Sequence, residues 1–328
     1  MAAQRNERED ERRARADYRP EGAGTKTSLL ATLKRTVTEF SEDNMTIWAA
    51  ALTYFGLLSL FPALIAMVSL VGLFADPAAT TRTLTDIVSG LGPSSAADTF
   101  KGPIESITSN RGAAGILFFV GLGTALWSAS GYVGAFMKAA NVIYETPEGR
   151  PFWKLRPLQI LVTLVMIVLL AAVLLALVLT GPVVSAVAGP LGIGSTAQSI
   201  WNIAKWPVLL VVVIVMFAVL FHASPNVKLP GFKWVTPGAV LAIVVWIVAS
   251  ALFAFYVANF GSYDKTYGAL GGVVGLLVWM WITNIALLLG MELNAERERS
   301  RELEAGVPRA DREIQLEPRD EPKSQKTT

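Results

Sequence analysis

The sequence predicts an all-α integral membrane protein, a six-span transmembrane helical bundle with amphipathic interfacial helices. Three observations lead there. Hydrophobic residues make up 53% of the 328-residue chain and charged residues 16%, well under the roughly 25% charged of soluble domains. Most of those charges precede Asp43 or follow Glu292, whereas a water-exposed domain scatters them over its whole surface. The stretch between them divides into six apolar runs, each near the roughly 20 residues that a bilayer span needs.

In chain order, residues 1–24 form a mixed-charge run without apolar periodicity, which predicts a disordered tail. It is not read as a signal peptide, because no apolar segment follows its basic residues. After Ser28, Leu29, Leu33, Val37 and Phe40 recur at spacings of four, four and three, with Lys34, Arg35, Glu39 and Glu42 between them. That pattern predicts an amphipathic helix over 28–44, lying in the membrane interface. The spans follow at about 47–74, 113–140, 158–180, 206–223, 238–259 and 270–293, within a membrane domain over 25–295. Pro62 should kink the first span, and the fourth opens on Trp206 and Pro207 and closes near His222.

Two outer connections carry further apolar patterns. Leu84, Ile87, Val88 and Leu91, then Phe100, Ile104 and Ile107, mark 77–112, and Trp201 and Ile203 mark 181–205. Short helices on the outer leaflet are expected in both. Residues 296–328 are charged and contain prolines, so this tail is expected to be helical at first and then disordered.

The placement of Lys and Arg sets the orientation. The chain up to residue 46 carries nine of them and the C-terminal tail eight, with Lys138, Arg150, Lys154, Arg156, Lys228 and Lys233 in connections on the same side. The opposite side has Arg82, Lys101, Arg111, Lys205 and Lys265. Both termini are therefore expected in the cytoplasm.

Much chemistry is excluded. The chain has no cysteine and a single histidine, His222, so disulfides, a cysteine nucleophile and a Cys/His zinc site are out of reach. Neither a G-x-x-x-x-G-K-[ST] loop for ATP phosphates nor a G-x-S-x-G nucleophile elbow occurs. A metal nuclease clusters acids around its ions, yet here almost all acids lie in the tails. A net charge of +2 gives no field for nucleic acid. No catalytic residue, metal ligand or cofactor is assigned.

Polar residues at membrane depth are few and each is a candidate for function or packing. Asn284 lies near the middle of the last span, where an interhelical hydrogen bond is favoured over ligand contact. Trp279 and Trp281 share that depth, as cavity lining or, more often, bulky packing. Glu292 and Asn294 close the span, and Glu292 either pairs with a base of the 138–157 connection or reaches water. Gly131 with Ala135 and Ala139, and Gly268 with Gly272, give small-residue stripes for close helix approach. Tyr256, Phe260, Tyr263 and Tyr267 fall at four, three and four with Asn259 beside them, and Asp264 and Lys265 lie in the short turn. An interfacial tyrosine anchor beside a solvated turn competes there with a site.

Three stretches carry a family resemblance. They are "AAALTYFGLLSLFPALI" from Ala49 with Pro62, "WSASGYVGAFMKAANVIYETPEGRPFWKLR" from Trp127 with Asn141 and Tyr144, and "YVANFGSYDKTYGALGGVVGLLVWMWITNIALLLGMELN" from Tyr256 to Asn294. Together, in order, they resemble the YihY/BrkB family of bacterial inner-membrane proteins, once labelled ribonuclease BN, over roughly residues 30–297. The resemblance implies a multi-pass helical protein of the bacterial inner membrane and supplies no catalytic residues. Transport or a transport-associated role, with a lipid or amphiphile as substrate, is the leading expectation. A membrane scaffold for envelope assembly is the alternative, and an enzyme under the ribonuclease label is disfavoured. The bilayer is the one partner implied outright, nucleic acid is not expected, and homo-oligomers or envelope proteins stay open as partners.

Overall fold

The computed structural model describes residues 27–74, 111–178, 194–260 and 269–322. Among these, all long elements are helices: α1 (Leu29–Glu42), α2 (Met45–Phe74), α3 (Arg111–Ile143), α4 (Phe152–Val178), α5 (Gly194–Ala223), α6 (Pro237–Phe260) and α7 (Ala269–Glu304). Four contain stretches long and apolar enough to cross a membrane, at Phe152–Val173, Ser199–Ala223, Pro237–Asn259 and Gly272–Glu304. The two remaining long helices, α2 and α3, have 30 and 33 residues, or roughly 45 and 50 Å at 1.5 Å per residue.

Ser28 starts α1 as predicted, its hydroxyl accepting a hydrogen bond from the Ala31 amide at 3.1 Å. Asn44 then takes a left-handed backbone, φ 54°, and its side chain donates to the Glu42 carbonyl at 3.0 Å. Asparagine tolerates this conformation because its short side chain bonds locally, and the tight turn swings the chain from α1 into α2. The amphipathic helix docks with its polar side inward. Thr32 and Thr36 are buried against α7, while Leu29 is 74% and Val37 64% exposed. An apolar face turned away from the protein is what an interfacial helix presents to lipid.

The long helices are arranged as a ring of neighbours, α5–α4–α3–α2–α7–α6, with α6 returning to touch α5, and α1 lies across α7 and α2. Gly131 in α3 lets Phe55 of α2 approach to 3.4 Å of where a Cβ would be. On α6 and α7 the closest approach lies at Gly238 and Gly290, where a Cβ on either would collide with the other's carbonyl oxygen. Gly272 of the Gly268–Gly272 stripe has open space around it among the described residues, and Gly268 lies outside them.

Three expectations are corrected. Residues 194–205, assigned to an outer connection with its own short helix, are instead the first turns of α5, which continues through Pro207. One backbone hydrogen bond is lost at such a proline, a loss that spanning helices tolerate. Similarly, α4 begins at Phe152 and passes through Pro157. The C-terminal tail departs further. α7 ends in a Schellman turn, with Gly306 at φ 71° and its amide bonded to Leu303, and Val307 bonded to Glu302. Residues 307–322 then run back under the bundle as a strap. Ala310 and Ile314 are buried, and Val227 and Pro318 form a β-bridge. Backbone pairing and apolar anchoring together fix a segment whose composition alone reads as solvated.

Packing is uneven along the bundle. Apart from Ala176, the buried hydrophobics cluster at the end nearest the strap: Met45–Leu52, Val133–Tyr144, Phe217–Phe221, Ala239–Ile243 and Ala286–Ala295. Toward the other end, described side chains such as Phe119, Val168, Ile200, Leu252 and Val274 are exposed.

Candidate functional site

Three polar clusters lie within the strap half. The deepest joins α2, α3 and α7. Asn284 Oδ1 accepts from the Tyr132 hydroxyl at 2.7 Å, and its Nδ2 donates to Thr53 Oγ1 at 3.1 Å. Thr53 stands eight residues into α2, roughly 12 Å from its start. The tryptophans beside this knot are tied in as well: Trp279 to Ser250, Trp246 to Thr283, and Trp281 to the Thr46 carbonyl, at 3.2, 3.2 and 3.1 Å.

The second cluster surrounds Arg299, which is 5% exposed. Its guanidinium reaches Glu145 at 2.8 Å, Glu296 at 2.9 Å and Glu39 at 3.8 Å. Arg35 adds a second cation on Glu296 at 2.7 Å. The Arg299–Glu296 pair is close but misaligned, leaving Arg299 Nε and Glu296 Oε1 without a hydrogen bond. Carboxylates thus outnumber cations. Burial first, and then the repulsion of Glu39 and Glu145, pushes Asp43 up to about 6. Burial also raises Glu39, against the pull of Arg299.

Glu145 binds this cluster to the strap. It occupies the left-handed C′ position of a Schellman turn, φ 50°, where glycine is usual. Its Oε1 takes Arg299 and its Oε2 accepts the Ile314 amide at 2.6 Å.

The third cluster closes the strap over the helix ends. The Asn226 amide donates to Asn141 Oδ1 at 2.7 Å, and Asn226 Nδ2 donates to the carbonyls of Pro147 and Asp320 at 3.0 and 2.9 Å. Asn141 in turn donates to Glu148, which receives Arg150 at 2.7 Å on both oxygens. Burial alone would raise Glu148, but the hydrogen bonds from Arg150 and Asn141 outweigh it and hold the carboxyl below its usual range. Arg319 from the strap donates to the carbonyls of Val227 and His222 at 2.9 and 2.6 Å.

The structure therefore places the sequence candidates unequally. Asn141 and Asn284 are hubs of different clusters, and Asn294 ties α7 to α6 through Thr236 and the Gly238 amide, both at 3.0 Å. Glu292 follows neither course expected of it. It is 1% exposed and its Oε2 has no hydrogen bond among the described residues. The bases it was expected to meet are elsewhere: Arg150 is taken by Glu148, Lys154 by Asp320, Arg156 by Gln159 and the Trp127 ring, and Lys138 is exposed. Tyr256 and Asn259 are exposed on α6, with Asn259 donating to the Phe255 carbonyl at 2.8 Å. Tyr263, Asp264, Lys265, Tyr267 and Gly268 lie outside the described residues, as do the apolar patterns of 77–107 and the tail 1–24. Side chains beyond position 59 of α2, Pro62 included, lie outside them too, although α2 itself runs unbroken to Phe74.

Glu145, Glu148, Arg150, Asn226, Arg299 and Arg319 escaped the sequence reading because their roles depend on contacts between distant segments. Among the described residues no group of three or more His, Asp or Glu could hold a metal ion.

Comparison with known proteins bears on the whole helical region. The profile of the virulence factor BrkB family matches residues 36–314. A Bacillus subtilis protein named as ribonuclease-like, YfkH, is 34% identical over 247 residues, covering 75% of this chain and 88% of its own length. UPF0761 membrane proteins of Alteromonas mediterranea and Aeromonas salmonicida are 27% and 25% identical, over 76% and 78% of this chain and 82% and 85% of theirs. No solved structure matches.

Proposed function

Because the chain belongs to the virulence factor BrkB family, whose members among its relatives are named as membrane proteins, we propose that it is a six-span transport protein of the bacterial inner membrane. Both termini lie in the cytoplasm, and the favoured substrate is a lipid or another amphiphile. Six spans fit the lengths of α2 to α7, and the inward side fits the bases gathered at the strap end.

The observation that carries the transport reading is the uneven packing of the ring. Its strap half is filled and cross-linked by polar clusters, whereas toward the other end many of the described side chains are exposed. A bundle packed more tightly at one end than at the other fits one state in alternating access. The absence of an ATP-phosphate loop makes movement passive or partner-driven. The ribonuclease-like name of the Bacillus relative does not extend to this chain in our reading, since Glu145 and Glu296 are paired with Arg299 and Glu148 with Arg150.

Reconstitution tests this. Purified protein in liposomes should speed exchange of fluorescent lipids or amphiphiles between leaflets over protein-free vesicles. No movement across a broad panel of lipids and ions would count against transport, and RNA cleavage with added divalent metal, lost in Glu292→Gln, would restore the enzyme reading.

A further inference from the structure

Resting on the membrane reading above but not on transport, we propose that the cavity between the end of α5, the 224–236 connection and the end of α7 binds the phosphate headgroup of an anionic phospholipid. The cavity has a volume of about 60 Å³, room for a few waters or one small anion. Phe221 and Leu229 give it apolar walls, and Lys233, Arg297 and Arg301 give it three cations against the single carboxylate of Glu298. That carboxylate is already engaged by Arg301. Lys233 and Arg297 have no ion-pair partner among the described residues, so two positive charges face the cavity uncompensated.

Its surroundings select a lipid over a dissolved anion. Phe232 and Trp234 meet edge to face at 4.9 Å beside the cavity, and Trp234 is 59% exposed with Val235 next to it. Exposed aromatics at this position belong to the headgroup level of a bilayer. The outward apolar face of α1 lies at the same end of the bundle. From the cavity, exposed Val240, Val244 and Val248 continue along α6, a track on which acyl chains can lie. Basic pockets between helix ends on the inner side of a membrane recognise anionic headgroups in this way.

The test is native mass spectrometry on the full chain in neutral detergent, titrated with phosphatidylglycerol, phosphatidylcholine or inorganic phosphate. The wild type should retain phosphatidylglycerol in preference to phosphatidylcholine. Lys233→Gln with Arg297→Gln should weaken retention about tenfold or more, while Arg297→Lys, which keeps the charge, and Lys228→Gln, at an exposed pair with Glu317, should leave it near wild type. Equal retention by the double variant, equal binding of phosphatidylcholine, loss of binding in Arg297→Lys, or inorganic phosphate binding alone and displacing the lipid would each overturn the site. Lipid binding without leaflet exchange would defeat the transport reading and leave this site standing.

Discussion

Arg299 is the residue on which most of the charged architecture turns. It draws Glu39 of α1, Glu145 at the end of α3 and Glu296 of α7 to one buried point, and the left-handed backbone of Glu145 is held there by bonds at both carboxylate oxygens. Strain of this kind persists only where the surroundings over-determine it. Removing the cation leaves buried carboxylates facing one another, so Arg299→Gln should cost about 3–5 kcal/mol, measured by denaturant titration in mixed micelles. A loss within that of an exposed control such as Lys228→Gln would show the cluster to be peripheral. Asp43 supplies a pH signature. Its carboxyl is lifted from 3.8 to about 6, first by burial and then by Glu39 and Glu145. A group raised on folding favours the folded state while protonated, and that contribution is complete below its ordinary pKa and lost as pH rises through the folded value. Wild type should therefore lose more thermal stability than Asp43→Asn between about pH 4 and 7, and parallel melting curves over that range would remove Asp43 from the account.

At the scale of elements, helix-on-helix approach depends on small residues where backbones cross. Gly238 and Gly290 sit at such a crossing, and Gly272 and Gly275 do not among the described residues. Gly290→Leu should abolish monodisperse expression while Gly272→Leu is tolerated, as judged by size exclusion in detergent, and the reverse order would place the tight crossing at the other end of α7. The helices themselves were readable in the sequence, since long apolar runs with charged ends admit few alternatives in a bilayer. The amphipathic face of α1 followed from periodicity, and the hydrogen-bonding of Asn284 from the scarcity of polar residues in the apolar runs. What was not readable depends on long-range partners. Gly238 and Gly290 look like ordinary small residues until α6 and α7 are brought together. Arg319 looks like one charge among many until the strap returns it to the carbonyls at the end of α5. Trp206 and Pro207 look like the opening of a span in the sequence, whereas α5 starts at Gly194 and runs through Pro207 because spanning helices tolerate proline.

For the whole molecule, the closer packing of the strap end among the described residues makes a directional object out of a ring of similar helices. The strap, Glu145 and Asn226 cover one end, and Asn284 ties α7 to α2 and α3 further along the bundle. If this asymmetry serves transport, water must reach the polar interior from the less closely packed end and stop at Asn284. The chain has no cysteine, so single cysteines placed at each position from 272 to 288 of α7 report their own surroundings without background. Labelling in intact cells with a membrane-impermeant maleimide is the most direct measurement. The account predicts reaction on a helical stripe descending from 272 to the level of Asn284 and none beyond it at 287 and 288. Labelling confined to the first turn of α7, with every deeper position silent, would contradict it.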